Sequence, residues 1–332
     1  MIFLRRNGFL PNGARCASKV RRAMEEPVIR YSPNGIPHIC VCICTFKRPQ
    51  FLTRLLEKLH EQDTGGLFSY SIVVVDNDSS QSAEVVVSDF TTRSKIDIRY
   101  CVEPQQNIAR ARNKAINNAR GDLVAFIDDD EFPNGTWLLT LFKALREYGV
   151  NGVLGPVTPH YDQEPPQWVI QGRFHERKRY PTGLTIEWRN GRTGNVLFKK
   201  DVFDGNDEPF NPAFRTGEDQ DFFRRAIGQG RRFVWCDEAV VSESVPPIRW
   251  NRTFMLKRAL LRGSNSLLHP TSRTLSVGKS LVAVVAYSIA LPFALLVRHS
   301  LFMTLLVKLF DHLGRILAFI GLNPISQPYL TE

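Results

Sequence analysis

Cysteine is scarce. The 332 residues hold six, and none stands in the Cys-x-x-Cys spacing from which structural zinc draws its ligands. Cys40, Cys42 and Cys44 alternate along a β-like run, so they share one face of a strand. They read as small buried thiols in a reducing compartment, not as a disulfide framework. Recognition helices, zinc spacings and RNA-binding aromatic motifs are also missing, which argues against a nucleic-acid partner. There is no internal repeat and no low-complexity tract. Met1 to Leu4, followed by Arg5 and Arg6, lack an apolar core long enough for a secretory signal. Residues 1–35 read as a mobile basic arm.

Acidic residues are missing from two stretches of the chain. The net charge is +10, from 43 basic and 33 acidic residues. Residues 1–22 carry six of the positive charges and residues 249–279 seven, with no acid in either. The rest of the chain is therefore near neutral. Basic flanks attract polyanions, and the second flank runs directly into an apolar stretch, which favours anionic lipid. Residues 281–297 (LVAVVAYSIALPFALLV) are uncharged, at the lower length limit for a bilayer span. In 299–322, Lys308, Asp311, His312 and Arg315 fall in one helical stripe among leucines, as in an amphipathic helix suited to an interface. The competing reading is a pair of core helices in a soluble domain. The expected organisation is an arm over 1–35, a catalytic domain over 36–245, a basic helical linker over 246–279 and membrane-associating helices over 280–325.

Before those flanks, short apolar runs alternate with helical patterns. Strands are expected at 39–44, 71–75, 96–101, 123–127, 152–157 and 194–198, and a strand with a turn in it at 233–241. Helices are expected from Pro49 and over 107–119, 136–148 and 219–228. Residues 158–192, rich in Pro, Gly, Trp and Arg, read as loops. This alternation implies an α/β fold, a mostly parallel sheet flanked by helices, with ligands beyond the carboxyl ends of its strands. Thr45, Asp76 and Asp128 follow three of those ends.

Four acids, Asp128 to Glu131, directly follow the strand LVAFI. Crowded carboxylates repel one another unless a cation shares the site. Mg²⁺ or Mn²⁺ takes oxygen ligands and completes its shell with phosphate oxygens, neutralising a diphosphate leaving group. A solvated acidic turn is the plainer alternative. In Gly217-Glu218-Asp219-Gln220-Asp221, an acid caps a helix or serves as a base toward an acceptor hydroxyl. Thr45 to Pro49, with Asp76 and Asp78, suit either turn chemistry or a nucleotide base and ribose. Asn107 to Asn113 carries Arg110 and Arg112, which suit phosphate or surface ion pairs.

Taken in order, ICTFKRP, VVVDNDS, NIARARNKAI, FIDDDE, GNVLF and GEDQD resemble the family 2 glycosyltransferases over about residues 38–242. ESVPPIRW and the arginine-rich helix after it are similar to exopolysaccharide glucosyltransferases of the succinoglycan type. The resemblance implies a nucleotide-diphospho-sugar transferase (GT-A) fold and inversion at the anomeric carbon. It implies metal contacts at Asp130 and Asp128, and a catalytic base at Asp219 with Glu218 beside it. Thr45, Arg48, Asp76, Asp78, Arg112, Asp128 and Asn195 match donor-binding places, and Trp250 and Arg249 lie on the acceptor side. Processive members carry Gln-x-x-Arg-Trp. Here Pro246 to Trp250 keep Arg-Trp without the Gln, which implies transfer of a single sugar. The expected partners are a nucleotide-sugar donor, with UDP favoured, a saccharide or lipid-linked acceptor, and the cytoplasmic face of the inner membrane. A nucleotidyltransferase would need a glycine-rich phosphate loop, which residues 45–50 lack. A scaffold that had kept only the fold would have lost the acids.

Overall fold

The computed structural model describes residues 35–214, 216–268, 273–322 and 325. The expected basic arm lies outside them. The elements in chain order are β1 (His38–Thr45), α1 (Pro49–His60), β2 (Ser69–Asp76), α2 (Glu84–Arg93), β3 (Ile98–Val102), α3 (Ile108–Asn118), β4 (Leu123–Ile127) and β5 (Glu131–Pro133). Then come α4 (Trp137–Tyr148), β6 (Gly152–Leu154), β7 (Val157–His160), α5 (Gln167–Gly172), β8 (Asn195–Lys199), α6 (Glu218–Gly228), β9 (Phe233–Trp235) and β10 (Val241–Ser244). The last three are α7 (Arg252–Asn265), α8 (Arg273–Val297) and α9 (His299–Phe319).

Seven strands form the main sheet in the order β3-β2-β1-β4-β8-β6-β9. Four of its six pairings are parallel, but β8 runs antiparallel to both β4 and β6, so the sheet is mixed. Side chains alternate across it. Ile39, Val41 and Ile43 enter one core with α1 and α4, while Cys40 and Cys42 enter the other with α3 and α6. The described cysteines, Cys40, Cys42, Cys44, Cys101 and Cys236, are free thiols.

The single strand expected over 152–157 is two strands in different sheets. A side chain on Gly155 would sit 2.2 Å from the Ala239 carbonyl oxygen, and Pro156 has no N–H for a ladder. The chain therefore leaves the main sheet there and begins a second one, ordered β5-β10-β7. The segment 233–241 divides in the same way into β9 and the start of β10. α2 has no counterpart among the expected elements. Its sequence, EVVVSDFTTR, is rich in β-branched residues and buries only Val87 and Phe90, so it shows little helical period.

The C-terminal helices form a layered arrangement. α9 lies between α7 and α8. Gly263 and Gly314 allow the first crossing: a Cβ on Gly263 would lie 1.9 Å from the Asp311 carbonyl oxygen, and one on Gly314 2.2 Å from that of Leu260. Three residues of the expected polar stripe face inward, not toward water. Arg262 grips Asp311 through two nitrogens at 2.8 and 2.5 Å, Arg315 reaches Ser266 and Ser280, and His312 reaches Ser280 at 3.0 Å. Lys308 alone of the four is exposed. The outward apolar face belongs instead to α8, where Val282, Ile289, Phe293 and Leu296 stay 72, 64, 66 and 86% exposed.

Candidate active site

Three strand ends and two helix starts converge on one crevice. At the end of β1, the Thr45 hydroxyl donates to Asp129 at 2.7 Å. Arg48, one residue before the proline that opens α1, donates to Asp129 at 3.1 Å and Asp130 at 3.2 Å. Asp128 to Glu131 follow β4 as the topology requires. The start of β8 passes beside them because Gly194 has no side chain: a Cβ there would lie 2.6 Å from Glu131 Oε1 and 2.9 Å from Asp128 Oδ2.

α3 carries Arg112 into the same crevice. Asn107 caps this helix by accepting from the Arg110 N–H at 3.2 Å. Asn113 exchanges two hydrogen bonds with the backbone of Phe210, at 2.7 and 2.9 Å, which fixes that ring beside the Arg112 guanidinium. Arg112 is buried, donates to Glu218, and reaches Asp128 at 3.4 Å. Carboxylates ninety residues apart thus share one guanidinium. Burial alone would lower the pKa of Arg112, but Glu218, Asp128 and Asp219 more than reverse this and raise it.

Glu218 opens α6. That helix is held in place by Phe222 and Phe223, which enter a cluster with Phe198, Phe203, Phe210 and Phe233. Each buried Phe contributes roughly 1.5–3 kcal/mol, so the start of α6 cannot drift cheaply. Asp219, next in sequence, is half-buried; it accepts from the Gln220 N–H at 2.7 Å and touches no guanidinium among the described residues.

On the far side, Arg249 donates to Asp130 at 2.6 Å and Glu243 at 2.8 Å, and Arg177 donates to Glu243 at 2.6 Å. Glu131 is fully buried 3.8 Å from Arg177, and its Oε1 has no hydrogen-bond partner; neither does Glu218 Oε2. Burial raises Asp129 to about 7 against the pull of Arg48, and raises Glu131 well above the carboxylate range, with Asp128 adding repulsion. Burial likewise raises Glu218 to about 7, despite Arg112.

Six carboxylates (Asp128, Asp129, Asp130, Glu131, Glu218 and Glu243) therefore meet four guanidiniums (Arg48, Arg112, Arg177 and Arg249), with Asp219 beside them. The raised acids carry only part of their charge near neutral pH, so the surplus is smaller than that count, but a cation would still favour a diphosphate beside it. Among the described residues no three acids, histidines or cysteines form a ready-made metal cage. Asp128 and Asp130 fit the sparser pattern of Mg²⁺ or Mn²⁺, with one or two carboxylates completed by substrate phosphates.

The remaining sequence candidates lie around this core. Asp76 is fully buried. It accepts from the Asp78 and Ala83 N–H groups and from the Tyr100 hydroxyl, at 3.0, 2.7 and 2.9 Å, which leaves it shaping the turn. Asp78 accepts from the Ser80 N–H at 3.1 Å through one oxygen. Asn195 uses both donors on the Pro156 and Ala239 carbonyls and accepts from Trp137 Nε1 at 2.8 Å, a packing role. Trp250 packs on Tyr161, ring centroids 5.7 Å apart. Sequence reasoning did not single out Asp129, Glu131, Arg177 or Glu243. The run DDDE and the segment ESVPPIRW contained three of them. Arg177 sits in an aperiodic loop and carried no signal.

The model of the family described as Glycosyl transferase family 2 matches residues 40–205. Succinoglycan biosynthesis protein ExoM of Rhizobium meliloti (strain 1021) is 34% identical over 233 residues, 70% of this chain and 74% of that protein. Among solved structures, mannosyltransferase PcManGT from Pyrobaculum calidifontis, in complex with GDP-Man and Mn²⁺, covers 90% of this chain and 93% of its own, with TM-score 0.59 and 16% identity. S. aureus TarS 1–349 in complex with UDP has TM-score 0.49 and 20% identity; the alignment covers 68% of this chain and 65% of that one, so the chain spans just under two thirds of that fragment.

Proposed function

The chain belongs to glycosyl transferase family 2 and is a glycosyltransferase; from that premise we propose that it transfers one hexose from a UDP-sugar to a saccharide or lipid-linked saccharide, with inversion, in cell-surface polysaccharide or glycolipid synthesis. The observation that carries this reading is the Arg112 bridge between Asp128 and Glu218. It brings the acids suited to a leaving diphosphate within one sugar's reach of the acids suited to an acceptor.

Asp219 is the base. It is accessible, free of any guanidinium among the described residues, and stands at the first turn of α6. It removes the proton from the acceptor hydroxyl as that oxygen attacks the anomeric carbon opposite the diphosphate. Glu218 holds Arg112 beside the reacting centre. Asp130 and Asp128 would hold a divalent ion, which would supply charge neutralisation to the departing diphosphate. Thr45 and Arg48 fix the acidic turn that faces the donor, and the free oxygen of Asp78 accepts from the nucleotide base. Asn195 acts through Trp137 and the path of β8. Arg249 and Trp250 line the acceptor side, and the missing Gln of the processive motif suits a single transfer.

The acceptor is met at a membrane. α8 is the one helix among the described residues long and apolar enough to cross a bilayer. Its packing favours lying along the surface. α9 is tied at one end to α5, where His299 meets Trp168 at 5.3 Å, and at the other to α7. α8 runs beside α9, so a bilayer crossed by α8 would also have to contain charged α7. An in-plane α8 at the cytoplasmic face avoids that cost. The test is thermal stabilisation of the purified chain by nucleotide sugars with and without Mn²⁺. A UDP-hexose with Mn²⁺ should raise the melting temperature; no response to any nucleotide sugar would sink the proposal.

A further inference from the structure

α8 and α9 meet at an elbow that the transfer chemistry does not use. Arg298 makes the turn between them, and α9 starts without a side-chain cap. The backbone N–H groups of His299, Ser300 and Leu301 have no acceptor within the helix. Ser, Thr, Asn or Asp normally stands in the cap position and satisfies such donors. A cation there instead meets the positive end of the helix dipole. Arg298 is exposed and makes no ion pair among the described residues. The elbow is therefore positive twice over.

Arg298, Ser300 and Thr304 border a hollow of about 330 Å³ between the elbow and the end of α5. Ser300 is only 3% exposed, yet it lines this hollow. Its carbonyl accepts from the Thr304 hydroxyl at 2.9 Å, but its own hydroxyl has no partner among the described residues. On the α5 side, the Gln171 amide is also uncommitted among them. No acidic side chain of the described residues lines the place. Beside it the surface is apolar, because Phe293, Leu296 and Val297 at the end of α8 are exposed. A guanidinium, orphan N–H groups and a buried hydroxyl thus converge at the edge of an apolar face, with no anion of the chain among them.

We infer that the α8–α9 elbow binds the headgroup phosphate of one anionic phospholipid, whose acyl chains lie along the exposed face of α8. The inference rests on the reading that α8 lies along a membrane surface, and gives that surface a defined headgroup site. A guanidinium and the N–H groups of a helix start suit phosphate oxygens. The neighbouring apolar side chains favour a lipid over a free phosphate, which gains nothing from them. The last carbonyls of α8 end at the same turn, and the headgroup hydroxyls of phosphatidylglycerol are donors for them. An α8 in the plane of the interface also puts the elbow at the depth of the phosphates.

The test is partition of the full chain onto liposomes of phosphatidylcholine alone or mixed with phosphatidylglycerol. Wild type should bind both and prefer the mixture. Arg298→Gln should reduce that preference at least about fivefold more than Lys279→Gln, which removes the same charge from an exposed position on α8 away from the elbow. Ser300→Ala, with no change of charge, should reduce it about threefold. Equal losses in the arginine and lysine variants mean general attraction to charge and overturn the site. Native mass spectrometry of the wild type in detergent should retain one phosphatidylglycerol that glycerol 3-phosphate does not displace; displacement by it, or equal retention of phosphatidylcholine, overturns the lipid as occupant. No binding to either liposome overturns the membrane reading and the site with it. Binding to both without preference overturns the site alone.

Discussion

Glu218→Gln separates two roles of one carboxylate by the sign of a pH effect. Glu218 is 5% exposed and its pKa is raised from 4.5 to about 7, first by burial, with Arg112 opposing and Asp219 adding repulsion. An acid with a raised folded pKa stabilises the fold while protonated. That contribution is fully present below the unfolded value and is lost as pH rises through about 7. For one group shifted this far, the loss between pH 5.5 and 8 is ~2 kcal/mol. Gln cannot ionise, so the variant should lack that slope. Removing one partner of a buried ion pair normally costs ~3–5 kcal/mol, because the other charge is stranded. Here Asp128 remains 3.4 Å from Arg112, so at pH 8 the variant should be at least as stable as wild type, and less active. Urea unfolding of both proteins in EDTA at pH 5.5, 7 and 8 gives the comparison. A stability difference constant across that range refutes the raised pKa. A variant weaker by more than ~3 kcal/mol at pH 8 shows that the ionised pair, not burial, dominates.

Asp219→Asn should abolish transfer while donor binding, read by titration, stays within about threefold, since only the proton acceptor is lost; persistent turnover would place the base elsewhere. Asp130→Ala should remove most of the Mn²⁺ dependence of UDP binding, and a metal response equal to wild type would take it out of the metal shell. Ile289→Asp with Phe293→Asp removes two side chains worth ~1–2 kcal/mol each in an apolar phase, so partition onto anionic liposomes should fall at least about tenfold; unchanged sedimentation would show that α8 is not the contact. Gly314→Leu should lower the melting temperature by several degrees by forcing α9 from α7, because its Cβ would meet the Leu260 carbonyl oxygen at 2.2 Å. An unchanged melting curve would mean that this crossing contributes little.

The fold was legible where burial imposes a period. ICVCIC, SIVVV and LVAFI are buried from end to end and read directly as central strands. α1, with Leu52, Leu55, Leu56 and Leu59 on one face, was equally plain. Legibility failed where the direction of the chain depends on contacts far away. The reversal of β8 is set by what it pairs with, and its five residues look the same in either sense. The division at Gly155 depends on the Ala239 carbonyl, which belongs to a segment eighty residues later. α9 shows the same limit in another form. Its charged stripe is real, but a helical wheel cannot tell water from the polar seam that Arg262, Ser266 and Ser280 provide.

The site divides along the same physical line. Carboxylates at strand ends were recognisable because the topology dictates where strand ends meet. The groups that hold them were only partly so: Arg48, Arg112 and Arg249 stood among the candidates, whereas Arg177 reaches the crevice from an aperiodic segment and binds Glu243, on a strand of the second sheet. The consequence is electrostatic. The chain carries a net +10, which read alone suggests a surface that welcomes a diphosphate unaided. The basic residues, however, concentrate at the two flanks, and the crevice itself gathers more carboxylates than guanidiniums. Burial pushes Asp129 and Glu218 up to about 7, which lessens that surplus near neutral pH. The case for a divalent ion beside a diphosphate is then local: it rests on where the carboxylates converge and not on the chain's net charge.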